Sequence, residues 1–276
     1  MVGMKRTPGA SGGAVAISRC VIHKSALTGQ LETVFQPIFE AKGGERVLHA
    51  VESLTRGPRG SALEEAPMLF SYVRRRHLEP EVDRLCIAQA LRAAADGGTH
   101  RIAVNVHPVT LASRGDFTAF LLRESVAAGI DRNRLIVEIG EQRPASDAAA
   151  FHRTVCSLRE VGMHIAIDDV GSDHANFRSV LDCRPEYLKI DRYFIDGIAD
   201  DLARQAVVNS ICQLGSFFDA RIVAEGVERE CDHDQLARMG ITLLQGFLYG
   251  RPASRPLPLA ARGTTLARAW LDHATR

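Results

Sequence analysis

From Glu32 onward the chain alternates between two hydrophobic patterns. Short runs with apolar residues packed closely or at every second position recur as TVFQPIF (33–39), VLHAVESL (47–54), RIAVNVH (101–107), RLIVEIG (134–140), HIAIDDV (164–170), YLKID (187–191), RIVAEGV (221–227) and ITLLQG (241–246). Their length and β-branched content predict strands. Between most of them lie segments with apolar residues at helical intervals, among them PEVDRLCIAQALRAAADG, DFTAFLLRESVAAG, DAAAFHRTVCSLREVG, ARQAVVNSICQLGSFFD and ECDHDQLARMG, several closed by glycine. Strand and helix in repeated alternation predict a parallel sheet, and eight strands predict its closure into a TIM-like (β/α)8 barrel of the α/β class. AKGGER, between the first two runs, is too short for the crossover helix that parallel neighbours require. The first strand is therefore expected to run antiparallel to the second.

The polar residues in these runs are not scattered. Each later run is apolar through its body and then ends in an acid, an amide or a lysine: Glu52, Asn105, Glu138, Asp168 with Asp169, Lys189 with Asp191, Glu225 and Gln245. In a barrel these ends share the C-terminal mouth, where such folds keep their chemistry. Any one strand-end carboxylate is explained by solvation or by capping the next helix. A ring of them is not, because converging carboxylates repel unless cations neutralise them. Oxygen donors without histidine or cysteine favour Mg2+ or Mn2+ over zinc. The adjacent aspartates suit two ions, an arrangement used for phosphodiester hydrolysis.

Composition narrows the picture further. The 276 residues, 46% hydrophobic and 24% charged, are enough for one large core, and 34 basic against 33 acidic residues leave a net charge of +1. Such a balance gives no global attraction to DNA, RNA or an anionic membrane, so an anionic substrate must be held locally. Six cysteines, with no CxxC pair, fit reduced thiols and a cytoplasmic location. Cys231 with His233 is read as part of a solvated loop rather than a metal site. No apolar run reaches the roughly 18 residues of a membrane helix. Residues 1–28, rich in glycine and serine, read as a flexible lead, and their GASGG lacks the lysine of a phosphate-binding loop. The barrel is assigned to 29–256, and 257–276, with LARAWLDHATR, to a terminal helix packed on its wall. Arg74, Arg75, Arg76 and His77 read as a solvated helix end, and His107 as a structural or solvated residue.

In order, the motifs FQPI (35–38), Glu52-Ser53-Leu54 followed by Arg56, VNV around Asn105, VEIGE ending at Glu141, IDDVG (167–171), YLKIDR ending at Arg192, VAEGVE (223–228) and QGFLYGRP (245–252) resemble the EAL family of cyclic di-GMP phosphodiesterases, named for a Glu-Ala-Leu tripeptide. The resemblance extends from about Gln30 to Pro252. It implies hydrolysis of cyclic di-GMP to linear pGpG, with Glu52, Asn105, Glu138 and Asp168 on a first ion and Asp168, Asp169 and Glu225 around a second. Lys189 would orient the water and stabilise phosphoryl charge, while a one-metal account makes Glu225 the base. The same resemblance makes Asp191, Glu228 and Gln245 water-positioning groups and sets Gln36, Leu54 and Arg56 against the dinucleotide.

Where the family reads DDFGTGYSS after the paired aspartates, this chain has DDVGSDHAN, placing Asp173 at a glycine position and His174 at a tyrosine. In the family this loop supports a homodimer contact, so the departure bears on regulation. Two functional classes follow: an active metal-dependent phosphodiesterase, favoured by its complete ligand set, and a non-hydrolytic EAL-like module that binds cyclic di-GMP or a protein partner. Control is expected from a regulatory protein, an oligomer contact or expression level.

Overall fold

The structure, a computed structural model, describes residues 30–95, 98, 100–140, 147–171 and 177–254. The expected lead (1–28) and terminal helix (257–276), like Glu141, Asp173 and His174, lie outside the described residues. Eight strands close in sequence order into a barrel: β1 (Glu32–Lys42), β2 (Glu45–Arg56), β3 (Arg101–Val106), β4 (Leu135–Ile139), β5 (His164–Val170), β6 (Tyr187–Ile190), β7 (Arg221–Ala224) and β8 (Leu243–Gln245). β1 is antiparallel to both neighbours, β2 and β8, and all other pairs are parallel. The reason is local: Lys42 pairs with Glu45 across Gly43 and Gly44, whose φ of 60° and 81° form a two-residue hairpin turn that only glycine adopts freely.

The described helices are α1 (Ala66–Arg76), α2 (Glu79–Ala93), α3 (Pro108–Ala112), α4 (Phe117–Ala127), α5 (Ala148–Glu160), α6 (Phe177–Cys183), α7 (Arg192–Ile195), α8 (Leu202–Phe218) and α9 (Glu230–Arg238). Four begin at an aspartate whose carboxylate accepts from an amide of the first turn: Asp116 before α4, Asp147 before α5, Asp191 before α7 and Asp201 before α8. Cys231 and His233 lie on α9 rather than in a loop, with His233 Nδ1 2.7 Å from the Tyr249 hydroxyl. The basic run closes α1 and is exposed, and His77 takes a left-handed C-cap with φ 54°. No described helix is long and apolar enough to cross a membrane.

The barrel interior is plugged by one residue from every strand: Ile38, Ala50, Ala103, Ile136, Ala166, Tyr187, Val223 and Leu243, all buried. Side chains alternate faces along a strand, so residues two positions on point inward as well. On the parallel strands the next inward residues toward the C-terminal mouth are Glu52, Asn105, Glu138, Asp168, Lys189, Glu225 and Gln245. On the reversed β1 the corresponding step runs from Ile38 back to Gln36. The sequence thus builds an apolar floor and a polar row directly above it.

Candidate active site

Lys189 is the centre of that row. Its side chain is fully enclosed, and its Nζ lies 2.7 Å from Glu225 Oε1, 2.9 Å from Asp168 Oδ1, 3.0 Å from Glu138 Oε2 and 3.5 Å from Glu52 Oε2. Glu52 also accepts from Asn105 Nδ2 at 2.9 Å and from Gln245 Nε2 at 2.7 Å. Gln36 joins through Gln245 at 3.4 Å and donates to the Gly250 carbonyl at 3.3 Å. Residues drawn from seven strands and the turn after β7 meet within one ring of hydrogen bonds and ion pairs.

The paired aspartates reach this ring through an irregularity in β5. Neighbouring residues of a regular strand face opposite sides, so Asp168 and Asp169 cannot both face the mouth. Pairing between β5 and β6 advances from Ile167–Leu188 to Val170–Ile190, three residues against two, and Asp169 takes φ 53°. This is a bulge with its extra residue in the left-handed region, which aspartate tolerates better than most side chains. As a result Asp168, Asp169 and Glu225 place carboxylate oxygens within 4.8 Å of one another. Beside them Gly226 has φ 68°, and a Cβ there would come within 2.3 Å of Arg192 Cγ. Arg192 in turn holds Glu228 at 3.1 Å.

The electrostatics follow from crowding. Burial, opposed by Lys189, leaves Glu138 and Glu225 well above the usual carboxylate range, the charges of neighbouring acids adding to the effect. For Glu52 burial acts in the same direction, but the Lys189 charge and the bonds from Asn105 and Gln245 together outweigh it and lower the group. Burial disfavours the Lys189 charge, yet the surrounding carboxylates hold its ammonium well above its ordinary value. One lysine does not neutralise the cluster. Asp168 Oδ1 touches the ammonium outside hydrogen-bonding geometry, and it and Gln245 Oε1 are buried oxygens without a hydrogen bond.

Two clefts flank the ring. A cavity of about 440 Å3 extends from Glu52, Asn105, Asp168 and Asp169 past Arg56 toward α1 and α2. A second, of about 310 Å3, lies over Lys189 and Glu225 and reaches Gln36, Glu228 and Phe247. Leu54 lines both. Of the residues singled out from sequence, Asp191 is not brought into the ring: its Oδ1 accepts from Tyr193 N at 2.6 Å and caps α7, and it lines neither cleft. Sequence reasoning overlooked Arg192, Phe70 and the buried Glu79 and Asp83. Arg74, read only as part of an exposed run, also lines the larger cleft. His107 lines the cleft too, and its Nδ1 accepts from Val109 N to cap α3.

A closed eight-stranded barrel with a reversed first strand and an acidic, lysine-centred C-terminal mouth is the class defined by this fold and site. The chain belongs to the EAL domain family, whose model matches residues 21–252. It is 36% identical over 176 residues to MucR of Pseudomonas aeruginosa, a bifunctional diguanylate cyclase/cyclic di-GMP phosphodiesterase, an alignment covering 62% of this chain and 25% of MucR. The chain spans between about a fifth and a third of the length of the curated relatives it matches. Among solved structures it resembles the PaMucR phosphodiesterase in complex with c-di-GMP, with TM-score 0.70, 29% identity, and coverage of 83% of this chain and 93% of that one. It also resembles the manganese and cyclic di-GMP complex of Klebsiella pneumoniae BlrP1, with TM-score 0.71, 27% identity, and coverage of 81% and 56%.

Proposed function

We propose that this chain is a divalent-metal-dependent phosphodiesterase that hydrolyses cyclic di-GMP to linear pGpG. The observation that carries the reading is the Lys189 ammonium set among Glu52, Glu138, Asp168 and Glu225, with Asp169 turned into the same space. The donor set fits Mg2+ or Mn2+: every ligand is a carboxylate or amide oxygen, Asp168 Oδ1 lacks a hydrogen bond, and the burial and neighbouring acids that raise Glu138 and Glu225 are what a bound cation would offset. Glu52, Asn105, Glu138 and Asp168 would hold one ion, and Asp168, Asp169 and Glu225 a second. Bound there, such ions activate water and neutralise charge on the phosphoryl oxygens.

The chain's own groups do the rest. Lys189 supplies a fixed positive charge in a water-poor pocket, where it stabilises negative charge developing on the phosphoryl group. Gln245 and Asn105 fix the Glu52 carboxylate from both sides, and Gln245 keeps its Oε1 free for a water or substrate donor. Glu228, anchored by Arg192, borders the second cleft. Arg56 offers a planar fork to a phosphate in the first. Two clefts meeting at the acidic centre suit a molecule with two bases joined through phosphodiesters, which supports cyclic di-GMP as substrate. A homodimer and control by a protein partner are carried over from the family resemblance.

The test is turnover of cyclic di-GMP by purified protein with Mg2+ or Mn2+, the product identified as pGpG. Binding without turnover in either metal would replace this reading with a non-hydrolytic cyclic di-GMP receptor.

A further inference from the structure

The larger cleft contains a charged group that the acidic centre does not use. Away from Asn105 the cleft runs between α1 and α2, where Pro67, Phe70 and Val73 give it an apolar wall. Set into that wall is Glu79, the first residue of α2, only 7% exposed. Among the described residues it has no hydrogen-bonding or oppositely charged partner. Asp83, one helical turn on, lines the same cleft, but its Oδ2 is occupied by His107 N at 2.9 Å and by the Thr110 hydroxyl. A carboxylate in the first turn of a helix gains from the dipole whether exposed or buried. That gain does not explain why this one is set beside the apolar wall of the cleft, where an unpartnered charge is costly. It does fit a ligand that brings its own donors.

We propose that Glu79 is a specificity-determining residue that reads one guanine base of the dinucleotide, its carboxylate accepting from the N1–H and the 2-amino group while the ring lies against Phe70 and Val73. The inference rests on the phosphodiesterase reading and deepens it. Guanine presents two adjacent donors, which match the two oxygens of a carboxylate as a bidentate pair. Adenine presents an acceptor at N1, which would face the same carboxylate unfavourably. A site built around such a bond discriminates strongly, because a ligand lacking the donor leaves a buried acceptor unpaired.

The experiment compares kcat and KM for cyclic di-GMP, cyclic di-IMP, which lacks only the 2-amino groups, and cyclic di-AMP, in wild type, Glu79→Gln and Glu79→Ala. Wild type should favour cyclic di-GMP over cyclic di-IMP by about 10- to 100-fold in kcat/KM, mostly through KM, with cyclic di-AMP poorer still. In both variants the preference should shrink to within about threefold, with Mn2+ stoichiometry by calorimetry unchanged. Equal use of cyclic di-GMP and cyclic di-IMP by wild type, which needs no variant to fold, would overturn the proposal. So would an undiminished preference in the variants, or loss of an Mn2+ equivalent in Glu79→Gln, which would make Glu79 a cation ligand. Failure of wild type to bind or cleave cyclic di-GMP would overturn the phosphodiesterase reading and this inference together.

Discussion

The two mouths of the barrel are built from the same eight strands and gather different charged groups. At the C-terminal mouth, the carboxylates of Glu52, Glu138, Asp168 and Glu225 surround one lysine, with Asp169 beside the last two. At the other end, β3 begins with Arg101, β5 with His164 and β7 with Arg221, and Arg134 immediately precedes β4. There Arg221 pairs with Glu40 at 2.7 Å and approaches His49 Nδ1 at 3.4 Å, while His49 Nε2 lies 3.1 Å from the Tyr187 hydroxyl. His49 faces these groups because it is the extra residue of a bulge, Ile38 pairing with Ala50 and Phe39 with Leu48. Burial first, then the charges of Arg221 and Arg101, push His49 down to about 3, so the basic end answers its crowding by keeping histidine neutral. The acidic end has no such neutral option except binding protons or cations. The contrast is in keeping with the division of labour between the two faces of such barrels.

That contrast can be broken at several points. The largest effect is expected from Lys189→Ala, which removes the only ammonium of the acidic ring; kcat for cyclic di-GMP should fall by about 1,000-fold, measured by steady-state product formation. Chelation with EDTA should abolish turnover, and added Mg2+ or Mn2+ should restore it, whereas the thermal midpoint should rise when the metal is returned because the ion binds only the folded ring. Gln245→Ala, which frees one side of Glu52, should cost about 10- to 100-fold in kcat or metal affinity. The smallest effect belongs to the basic end. His49 is held neutral when folded and gains a proton near its ordinary value of 6.5 when unfolded, so stability is complete above that pH and declines as pH falls toward 3. Each such histidine contributes a slope of about 1.4 kcal/mol per pH unit. Denaturant melts of His49→Gln should therefore show a shallower loss of stability between about pH 6 and pH 4, with little change in turnover at neutral pH.

Much of this was legible in the sequence. The eight runs appear as the eight strands, and the short AKGGER link gives the reversed β1, because hydrophobic period and loop length are local properties. The acids, amides and lysine at the strand ends were visible for the same reason. What was hidden depends on pairing. The β5 bulge that turns Asp169 into the ring is a register shift between strands, and nothing in IDDV announces it. Asp191 shares the YLKID run with Lys189, yet it follows the strand and caps α7, a competition between capping and site chemistry that spacing alone does not resolve. Helix α1, seen in sequence only through its arginines, forms a cleft wall because Pro67, Phe70 and Val73 are set by tertiary packing. The arginines and histidine of the other mouth are equally legible, at the first residues of the strands: Arg101, His164 and Arg221.

The central claim is that the inward polar row above the apolar floor is a divalent-cation centre. It is tested most directly by titrating Mn2+ into metal-stripped protein and following the free-ion signal by electron paramagnetic resonance. The account predicts stoichiometric uptake by wild type and by His49→Gln, and weakened uptake by Glu52→Gln and Asp168→Asn. Uptake that is absent in the wild type, or unaltered by both acidic-ring substitutions, would contradict it.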